Sequence, residues 1–266
     1  MPDQFSRTAL LFGWENMEKL KNYRVAVFGV GGVGGHCAEA LCRSGIGAID
    51  LFDGDVVDVT NINRQIIATH RTVGRDKVAV MRERLLEINP QARIGARKLF
   101  YLPEMAGEVD LSAYDYIVDA VDTMAAKLEL ACRASALGVP IVSSMGAANK
   151  LDPSAFEVAD IYDTSVCPMA RIMRGELRKR GVAALKVVYS KEPPVKARQE
   201  PTPGPAANTD SPRPRQVPAS NAFVPPVAGL IMAAEVVKGL MAQSQQQPPE
   251  SWSSSSGFPR FFSTKK

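Results

Sequence analysis

The stretch Val25–Gly34, VAVFGVGGVG, decides the fold of this 266-residue chain. Its apolar residues lead into Gly29, Gly31 and Gly34, a spacing typical of a strand that ends in a phosphate-binding loop before a helix. One glycine allows a tight turn, one lets backbone approach a phosphate, and one lets the helix pack on the sheet. The free N–H groups at the helix start attract an anion. The stretch therefore predicts a nucleotide site after the first strand.

An acid follows where a ribose would lie. Asp53 closes the next strand-like run, nineteen positions after Gly34. There it is placed to accept hydrogen bonds from ribose hydroxyls. These residues predict an adenine nucleotide and nothing more specific, so an NAD-dependent oxidoreductase remains one alternative.

Charged residues beyond Asp53 favour ATP chemistry. Arg64 follows Asp53 within about a dozen residues, and Lys77 lies one further turn and helix along the chain. A second acid pair, Asp119 and Asp122, closes a later strand-like run. Cations for phosphate charge and a carboxylate for a metal ion suit nucleotidyl transfer, because positioning and charge neutralisation supply most of its catalysis.

Longer motifs give the sequence a family resemblance. The runs GVGGVG, DGDVVDVTNINRQ, VGRDKVAVMRERLLEINP and DAVDT resemble the adenylating enzymes related to ubiquitin activation, which include the thiamin and molybdopterin adenylyltransferases. Within that superfamily, three stretches resemble the subgroup of tRNA threonylcarbamoyladenosine dehydratases: Gln4–Arg7, Ser143–Lys150 and Ser220–Pro225.

The resemblance implies roles for individual residues. It implies ATP as cofactor, Mg²⁺ at Asp122, and insertion of Arg7 into the ATP site of a partner subunit, hence a homodimer. It assigns the ribose contact to Asp53. The remaining nucleotide-binding positions that it implies are Gly29, Gly31, Gly32 and Gly34 in the loop and Asn61, Arg64 and Lys77 beside the triphosphate.

The resemblance also implies a reaction. A carboxylate of the modified adenosine in tRNA would attack the α-phosphate of ATP, and an atom of the same side chain would then expel AMP, closing a ring with net loss of water. The substrate would be tRNA, and a sulfur-relay protein is a further partner to consider. Two alternatives remain open: an adenylyltransferase acting on a sulfur-carrier protein, and a non-catalytic nucleotide- or tRNA-binding module.

Composition limits the class of protein. With 45% hydrophobic residues the chain can form one domain with a full core. We find no apolar run near 18 residues and no basic-then-apolar leader, so we expect no membrane span and a cytoplasmic location. The net charge of +4 is compatible with a nucleic-acid substrate.

Few of the cysteines and histidines are candidates for a metal-binding or catalytic role. The four cysteines form no C-x-x-C pair, which argues against zinc. We expect Cys37, Cys42 and Cys132 to be buried, whereas Cys167 could be exposed and is weighed as a thioester nucleophile, the less favoured interpretation. His36 is expected to pack or cap beside the glycine loop.

Alternating runs predict an α/β fold with a Rossmann-like, mainly parallel sheet and helices on both faces. Strands are predicted at 24–29, 48–53, 93–100, 115–121, 139–144 and 185–189. Helices are predicted at 8–20, 34–44, 74–88, 123–137 and 168–180, and in a last run ending near Met241.

Composition also predicts domain boundaries. Residues 1–191 together with 217–242 are predicted to form a single ATP-binding adenylating domain. The proline-rich stretch 192–216 cannot bury a core and is predicted to be a mobile loop. The Gln-, Ser- and Pro-rich stretch 243–266 is predicted to be a disordered tail.

Overall fold

The computed structural model describes residues 3–196 and 218–246. Within these ranges seven strands form one sheet in the order β3-β2-β1-β4-β5-β7-β6, and only the β6–β7 pair is antiparallel. The strands are β1 Arg24–Phe28, β2 Ala48–Phe52, β3 Arg93–Arg97, β4 Tyr116–Asp119, β5 Ile141–Ser144, β6 Phe156–Asp160 and β7 Lys186–Ser190. The helices are α1 Ser6–Phe12, α2 Trp14–Leu20, α3 Gly34–Arg43, α4 Lys77–Ile88, α5 Met124–Leu137, α6 Pro168–Lys179 and α7 Val224–Gln246.

Helices cover both faces of the sheet, as the alternating pattern predicts. On one face, α2, α3, α4 and α7 bury a core that includes Leu20, Leu41 and Val236. On the other face, α5 packs over the stacked rings of Phe28 and Phe52, and α6 extends this layer. The central strands are buried on both sides, which explains their continuous apolar sequence.

The edge strand β6 was not predicted from the sequence. Phe156–Asp160 has one buried residue and an otherwise exposed or half-exposed pattern, so it lacks the apolar run by which the other strands were recognised. Its antiparallel pairing with β7 fixes it at the sheet edge.

The predicted helix over 8–20 is wrong as a single helix. Gly13 lies between α1 and α2 and separates them. Its φ of +82° is a backbone conformation that L residues rarely adopt. The break leaves Leu10 and Leu11 outside the core, 85% and 84% exposed.

Helix α7 corrects the expectation that the chain contains no stretch of membrane length. Val224–Gln243 is long and apolar enough to cross a bilayer by length and composition, with a mean hydropathy of 1.5. In the structure, however, it is a core helix. A Cβ on Gly229 would overlap the Val33 carbonyl oxygen, and one on Gly239 would lie 2.8 Å from the Tyr116 ring. This close packing accounts for its apolar composition.

The predicted loop and tail are described only at their ends. Residues 197–216 of the loop and 247–266 of the tail lie outside the described residues. Helix α7 runs on to Gln246, five residues beyond the expected end at Met241, through alanine and glutamine, which favour helix.

Candidate nucleotide-binding and adenylation site

The glycine loop joins β1 to α3 with little space to spare. Gly29 has φ of +87°, and a Cβ there would lie 2.6 Å from the Ala120 carbonyl oxygen. A Cβ on Gly34 would overlap the Gly29 carbonyl oxygen, so the helix can approach the strand only without a side chain. Gly31 has more room, with the Gln65 amide 3.8 Å away as its nearest neighbour. The turn and the helix packing therefore agree with the roles expected for these glycines.

Asp53 stands directly beyond the loop, one residue after β2. Its Oδ2 accepts the Val30 N–H at 2.7 Å and its Oδ1 accepts the Asp55 N–H at 2.9 Å. Burial raises the pKa of Asp53, while the charge of Lys77 acts in the opposite direction. The carboxylate thus holds the backbone of the glycine loop by a hydrogen bond, and it lies at the position where a ribose is expected.

Arg64 lies against the glycine loop. A Cβ on Gly32 would be 3.2 Å from Arg64 Cγ, and the guanidinium donates to the Thr60 carbonyl at 3.1 Å and to Asn63 Oδ1 at 2.8 Å. Among the described residues Arg64 forms no ion pair, so its charge is available to a phosphate. Asn61 is buried and accepts the Asp58 N–H at 3.1 Å, closing the capping box of a short 3-10 helix. Asn61 therefore supports the backbone that carries Arg64.

Lys77 begins α4 and already has a partner. Its side chain is buried, and Nζ lies 2.6 Å from Asp55 Oδ2, while Asp55 is half exposed. The charge of Lys77 also acts on Asp53, which places the lysine beside the expected ribose and phosphate positions. A phosphate contact requires Lys77 to exchange the Asp55 carboxylate for a phosphate oxygen.

The two acids of the second pair, Asp119 and Asp122, have different surroundings in the structure. Asp119 is fully buried and ion-paired with Lys127 at 2.9 Å, so it cannot bind a metal ion. Asp122 is exposed, and within the described ranges its carboxylate accepts a single, weak hydrogen bond, from Thr123 Oγ1 at 3.4 Å. Asp122 alone of the pair is available to a cation.

The donor set fits magnesium bound jointly with a nucleotide. The described residues contain no cluster of three or more acidic, histidine or cysteine side chains that could hold a metal alone. Mg²⁺ usually binds through one or two carboxylates together with substrate phosphates. A single free carboxylate near a phosphate loop meets that requirement.

Arg7 is exposed on α1. No hydrogen bond or ion pair in the described ranges joins it to the glycine loop, Arg64 or Lys77 of its own chain. The structure therefore leaves Arg7 unassigned within one subunit.

Cys167 is not exposed, contrary to expectation. It is the N-cap of α6 and is 2% exposed, because it lies in the same buried core cluster as Ala170 and Met173 of that helix. Cys37 and Cys42 are buried as expected, and Cys132 is half-buried. His36 Nδ1 lies 2.9 Å from the Gly32 carbonyl oxygen, and burial lowers its pKa, which supports a neutral packing role at the glycine loop.

Sequence reasoning missed three residues of this region. Asp55 pairs with Lys77, and its position two residues after Asp53 was an available signal. Lys127 and Asn63 gave no signal, because their partners Asp119 and Ser220 become neighbours only through the fold.

Fold and site together define a nucleotide-binding α/β protein whose phosphate loop lies against a free arginine. The ThiF family model matches residues 5–261, and the chain belongs to the ThiF family. The family resemblance and the fold class predicted from the sequence are thereby confirmed.

Similar proteins extend over nearly the whole chain. The chain is 45% identical over 245 residues to the tRNA threonylcarbamoyladenosine dehydratase of Bacillus subtilis (strain 168), covering 91% of this chain and 96% of the relative. It is 32% identical over 257 residues to the protein of the same name from Escherichia coli (strain K12), covering 92% and 96%. The solved structure of E. coli TcdA in complex with ATP matches with a TM-score of 0.79 at 31% identity, covering 92% of this chain and 96% of that one.

Proposed function

We propose that this protein is an ATP-dependent dehydratase that adenylates the carboxylate of threonylcarbamoyladenosine in tRNA and cyclises it with loss of AMP. The observation that carries the proposal is 45% identity, over nearly its whole length, to a relative of that name. The geometry supports it, since Arg64 lies against the glycine loop without an ion pair among the described residues, and the Asp53 carboxylate accepts a hydrogen bond from that loop. ThiF family membership argues against the oxidoreductase alternative.

The reaction has two steps. First, a carboxylate oxygen of the substrate attacks the α-phosphorus, the bond to the bridging oxygen breaks, and pyrophosphate leaves with its electron pair. Second, a nitrogen or oxygen of the same side chain attacks the acyl carbon, loses its proton, and expels AMP. AMP keeps one oxygen of the original carboxylate, so the nucleoside loses the elements of water. Because both reacting groups belong to one molecule, no protein nucleophile is needed.

The chain's own residues supply charge and position. Arg64 and Lys77 neutralise the triphosphate as negative charge develops on pyrophosphate, and fixed charges of this kind act without reorganisation. The glycine loop and the start of α3 hold phosphate oxygens, and Asp53 holds the ribose. Asp122 would hold Mg²⁺, which supplies further charge neutralisation at the phosphates.

We further propose a homodimer in which Arg7 completes the partner's ATP site. Arg7 is exposed and has no partner within its own described chain. The same helix exposes Leu10 and Leu11, and an apolar groove beside it is lined by Phe12, Leu230 and Val237. Contiguous exposed apolar surface of this kind marks an interaction site. A sulfur-relay protein partner belongs to the same proposal and rests on the resemblance. A cytoplasmic location is proposed from the composition of the chain, with the apolar helix α7 buried in the core.

One experiment tests the function directly. The protein is incubated with ATP, Mg²⁺ and tRNA bearing threonylcarbamoyladenosine, and the nucleosides are analysed by mass spectrometry. We expect loss of one water from that nucleoside, AMP and pyrophosphate in equal amounts, and no product with Arg64→Ala. Pyrophosphate exchange driven by a carrier protein and not by tRNA would instead support the sulfur-carrier alternative. ATP binding with neither reaction would support the non-catalytic module.

A further inference from the structure

Helix α6 carries a concentration of positive charge that the adenylation site does not use. Residues 168–180, which comprise α6 and its C-cap, contain one acid, Glu176, and five basic residues: Arg171, Arg174, Arg178, Lys179 and Arg180. The whole chain has 32 basic and 28 acidic residues, so the rest of the chain has 27 of each. The net charge of +4 therefore equals the excess charge of this one helical segment.

The two faces of α6 differ in composition. Ala170, Met173 and Leu177 are buried in a core that α6 shares with α5 and β7. Arg171 and Arg178 are exposed on the other side of the helix. The apolar face accounts for the packing of the helix on the sheet, so the charge of the opposite face is available for another role.

Three of the five basic side chains have partners within the protein. Lys179 Nζ lies 2.7 Å from Glu176 Oε1, and Arg180 Nη1 lies 2.5 Å from Glu176 Oε2. Arg174 Nη1 donates to the Thr164 carbonyl at 2.8 Å. These three residues therefore stabilise the end of α6 and the segment that precedes it.

Arg171 and Arg178 have no acidic partner among the described residues. The Arg178 guanidinium lies over the ring of Tyr162, 5.3 Å from its centroid, which holds the side chain without neutralising its charge. Seven positions separate the two arginines, so they lie on the same side of the helix, about 10.5 Å apart along its axis. A guanidinium binds the oxygens of a phosphate in a bidentate manner, so this pair fits a ligand with several phosphates.

The start of α6 lies at the same edge of the sheet as the adenylation site. Strands β4 and β5 are parallel neighbours, with Asp119 in register with Ser143. The turns that follow them, which contain Asp122 and Gly146, therefore leave the sheet side by side, because neighbouring strands are about 4.8 Å apart. A Cβ on Gly146 would lie 3.9 Å from the Cβ of Met169, in the first turn of α6. The basic face thus begins beside the edge where Asp122 lies.

We propose that the exposed face of α6, through Arg171 and Arg178, is a docking surface for the phosphate backbone of tRNA. The proposal rests on the proposed function, because it takes tRNA as the substrate whose carboxylate is adenylated. A nucleic acid carries one negative charge per nucleotide, so it matches uncompensated cations placed along one side of a helix. Phosphate contacts of this kind position the RNA but do not read its sequence. They hold the tRNA while its modified nucleoside lies at the sheet edge.

The salt dependence of tRNA binding, measured without ATP, tests this surface. Dissociation constants for tRNA bearing threonylcarbamoyladenosine are determined over a series of salt concentrations for the unmodified protein, Arg171→Gln, Arg178→Gln and the double variant. Glutamine removes the charge but keeps a high helix propensity, so α6 should persist. Each lost phosphate contact lowers the slope of log affinity against log salt by about 0.7–0.9. We therefore expect about five- to eightfold weaker binding per variant at roughly 0.1 M salt, and a difference that vanishes near 1 M.

Catalytic measurements distinguish docking from damage to the adenylation site. In the double variant, KM for tRNA should rise, whereas ATP affinity and turnover at saturating tRNA should stay at the level of the unmodified protein. This pattern is expected because a phosphate contact remote from the reacting atoms is equally strong in the ground state and the transition state. Reduced ATP affinity in the double variant would contradict the proposal, because it would make these arginines part of the nucleotide site.

Arg93→Gln is the matched control. Arg93 is exposed at the start of β3, at the opposite side of the sheet from α6, and forms no ion pair within the described ranges. The substitution removes the same charge and should leave tRNA affinity and its salt slope unchanged. Equal weakening in Arg93→Gln would show an effect of net charge alone and overturn the proposal.

The remaining outcomes separate this inference from the proposed function. Failure of the unmodified protein to remove water from the nucleoside contradicts the proposed function. An active protein whose double variant binds tRNA with the unmodified affinity and slope contradicts only the docking surface, and would leave the basic face of α6 to an acidic protein partner.

Discussion

Lys77 Nζ lies 2.6 Å from Asp55 Oδ2, and the two partners differ sharply in exposure. The lysine side chain is 7% exposed, whereas that of Asp55 is 51% exposed. Asp55 can therefore return to water at small cost, while Lys77 stays fixed at the start of α4. Because of this difference in exposure, we expect a bound phosphate to displace the Asp55 carboxylate from Lys77.

Lys77→Met tests the phosphate contact while preserving most of the buried volume. We expect kcat/KM for ATP to fall roughly 100- to 1000-fold, the usual effect of losing one preorganised charge contact. The matched control is Lys98→Met, which breaks an exposed pair with Asp76 and should change activity little. Equal effects of the two variants would remove Lys77 from the site.

Asp55→Asn tests the displacement. Lys77 then leaves a neutral amide instead of a carboxylate, so ATP should bind several-fold more tightly, because the amide holds the ammonium less strongly than a carboxylate does. Calorimetric titration measures the change. Weaker ATP binding would mean that Asp55 is itself part of the nucleotide site.

The order of strands and helices was predictable because it depends on local periodicity. Strand β6 and the break at Gly13 were not, because β6 carries little apolar signal and a single glycine does not by itself indicate a break. The backbone of the candidate site was predictable where it depends on nearby sequence, as for the turn at Gly29 and the close helix packing at Gly34. The bond between Asn63 and Ser220 spans 157 positions and arises only when α7 packs on α3. Burial of Cys167 likewise depends on the fold, because its core cluster includes Leu128 and Met145 from distant parts of the chain.

Asp119→Asn and Asp122→Asn should act on different properties. Asp119→Asn leaves the Lys127 charge buried without a carboxylate, and such a loss costs about 3–5 kcal/mol of unfolding free energy.

Asp122→Asn changes an exposed side chain, so stability should hold while turnover at limiting Mg²⁺ falls, because an amide is a poorer ligand for a hard cation. Urea unfolding and a magnesium titration of activity measure the two effects. An Asp122→Asn protein with the unmodified magnesium dependence would exclude Asp122 as the metal ligand.

Acidification should weaken ATP binding through Asp53. Burial raises the pKa of Asp53, so the carboxylate takes up its proton at a pH above the ordinary aspartate value of about 3.9. The protonated form has lost an acceptor for the ribose, so affinity falls as pH falls through the raised pKa. The ATP phosphates contribute the same pH dependence to both proteins. The difference between the profiles of the unmodified protein and Asp53→Asn therefore reports the Asp53 side chain. A pH profile shared by both proteins would show that Asp53 does not contact the nucleotide as a carboxylate.

Cys167→Ser should leave cyclisation almost unchanged. The thiol is buried at the start of α6, away from solvent, and serine is a favourable N-cap residue, so the fold should tolerate the change. The control is Cys37→Ser, which places a hydroxyl in the fully buried core and should lower stability. Product formation, unfolding and trapping with hydroxylamine are measured. A hydroxylamine-sensitive acyl group on Cys167 would instead show a thioester mechanism.

Arg7 and Arg64 together test the dimer. If Arg7 enters the partner's ATP site, Arg7→Ala and Arg64→Ala are each inactive alone, because every site then lacks one arginine. In a mixed dimer, one site combines Arg64 of the first chain with Arg7 of the second and is complete, while the other site lacks both. Random exchange of subunits therefore restores about a quarter of the original sites at most, as expected for a two-fold symmetric dimer. Differently tagged chains verify the exchange, and activity is measured before and after mixing. Activity that stays at the level of the separate variants, with exchange demonstrated, would place Arg7 outside the partner's site.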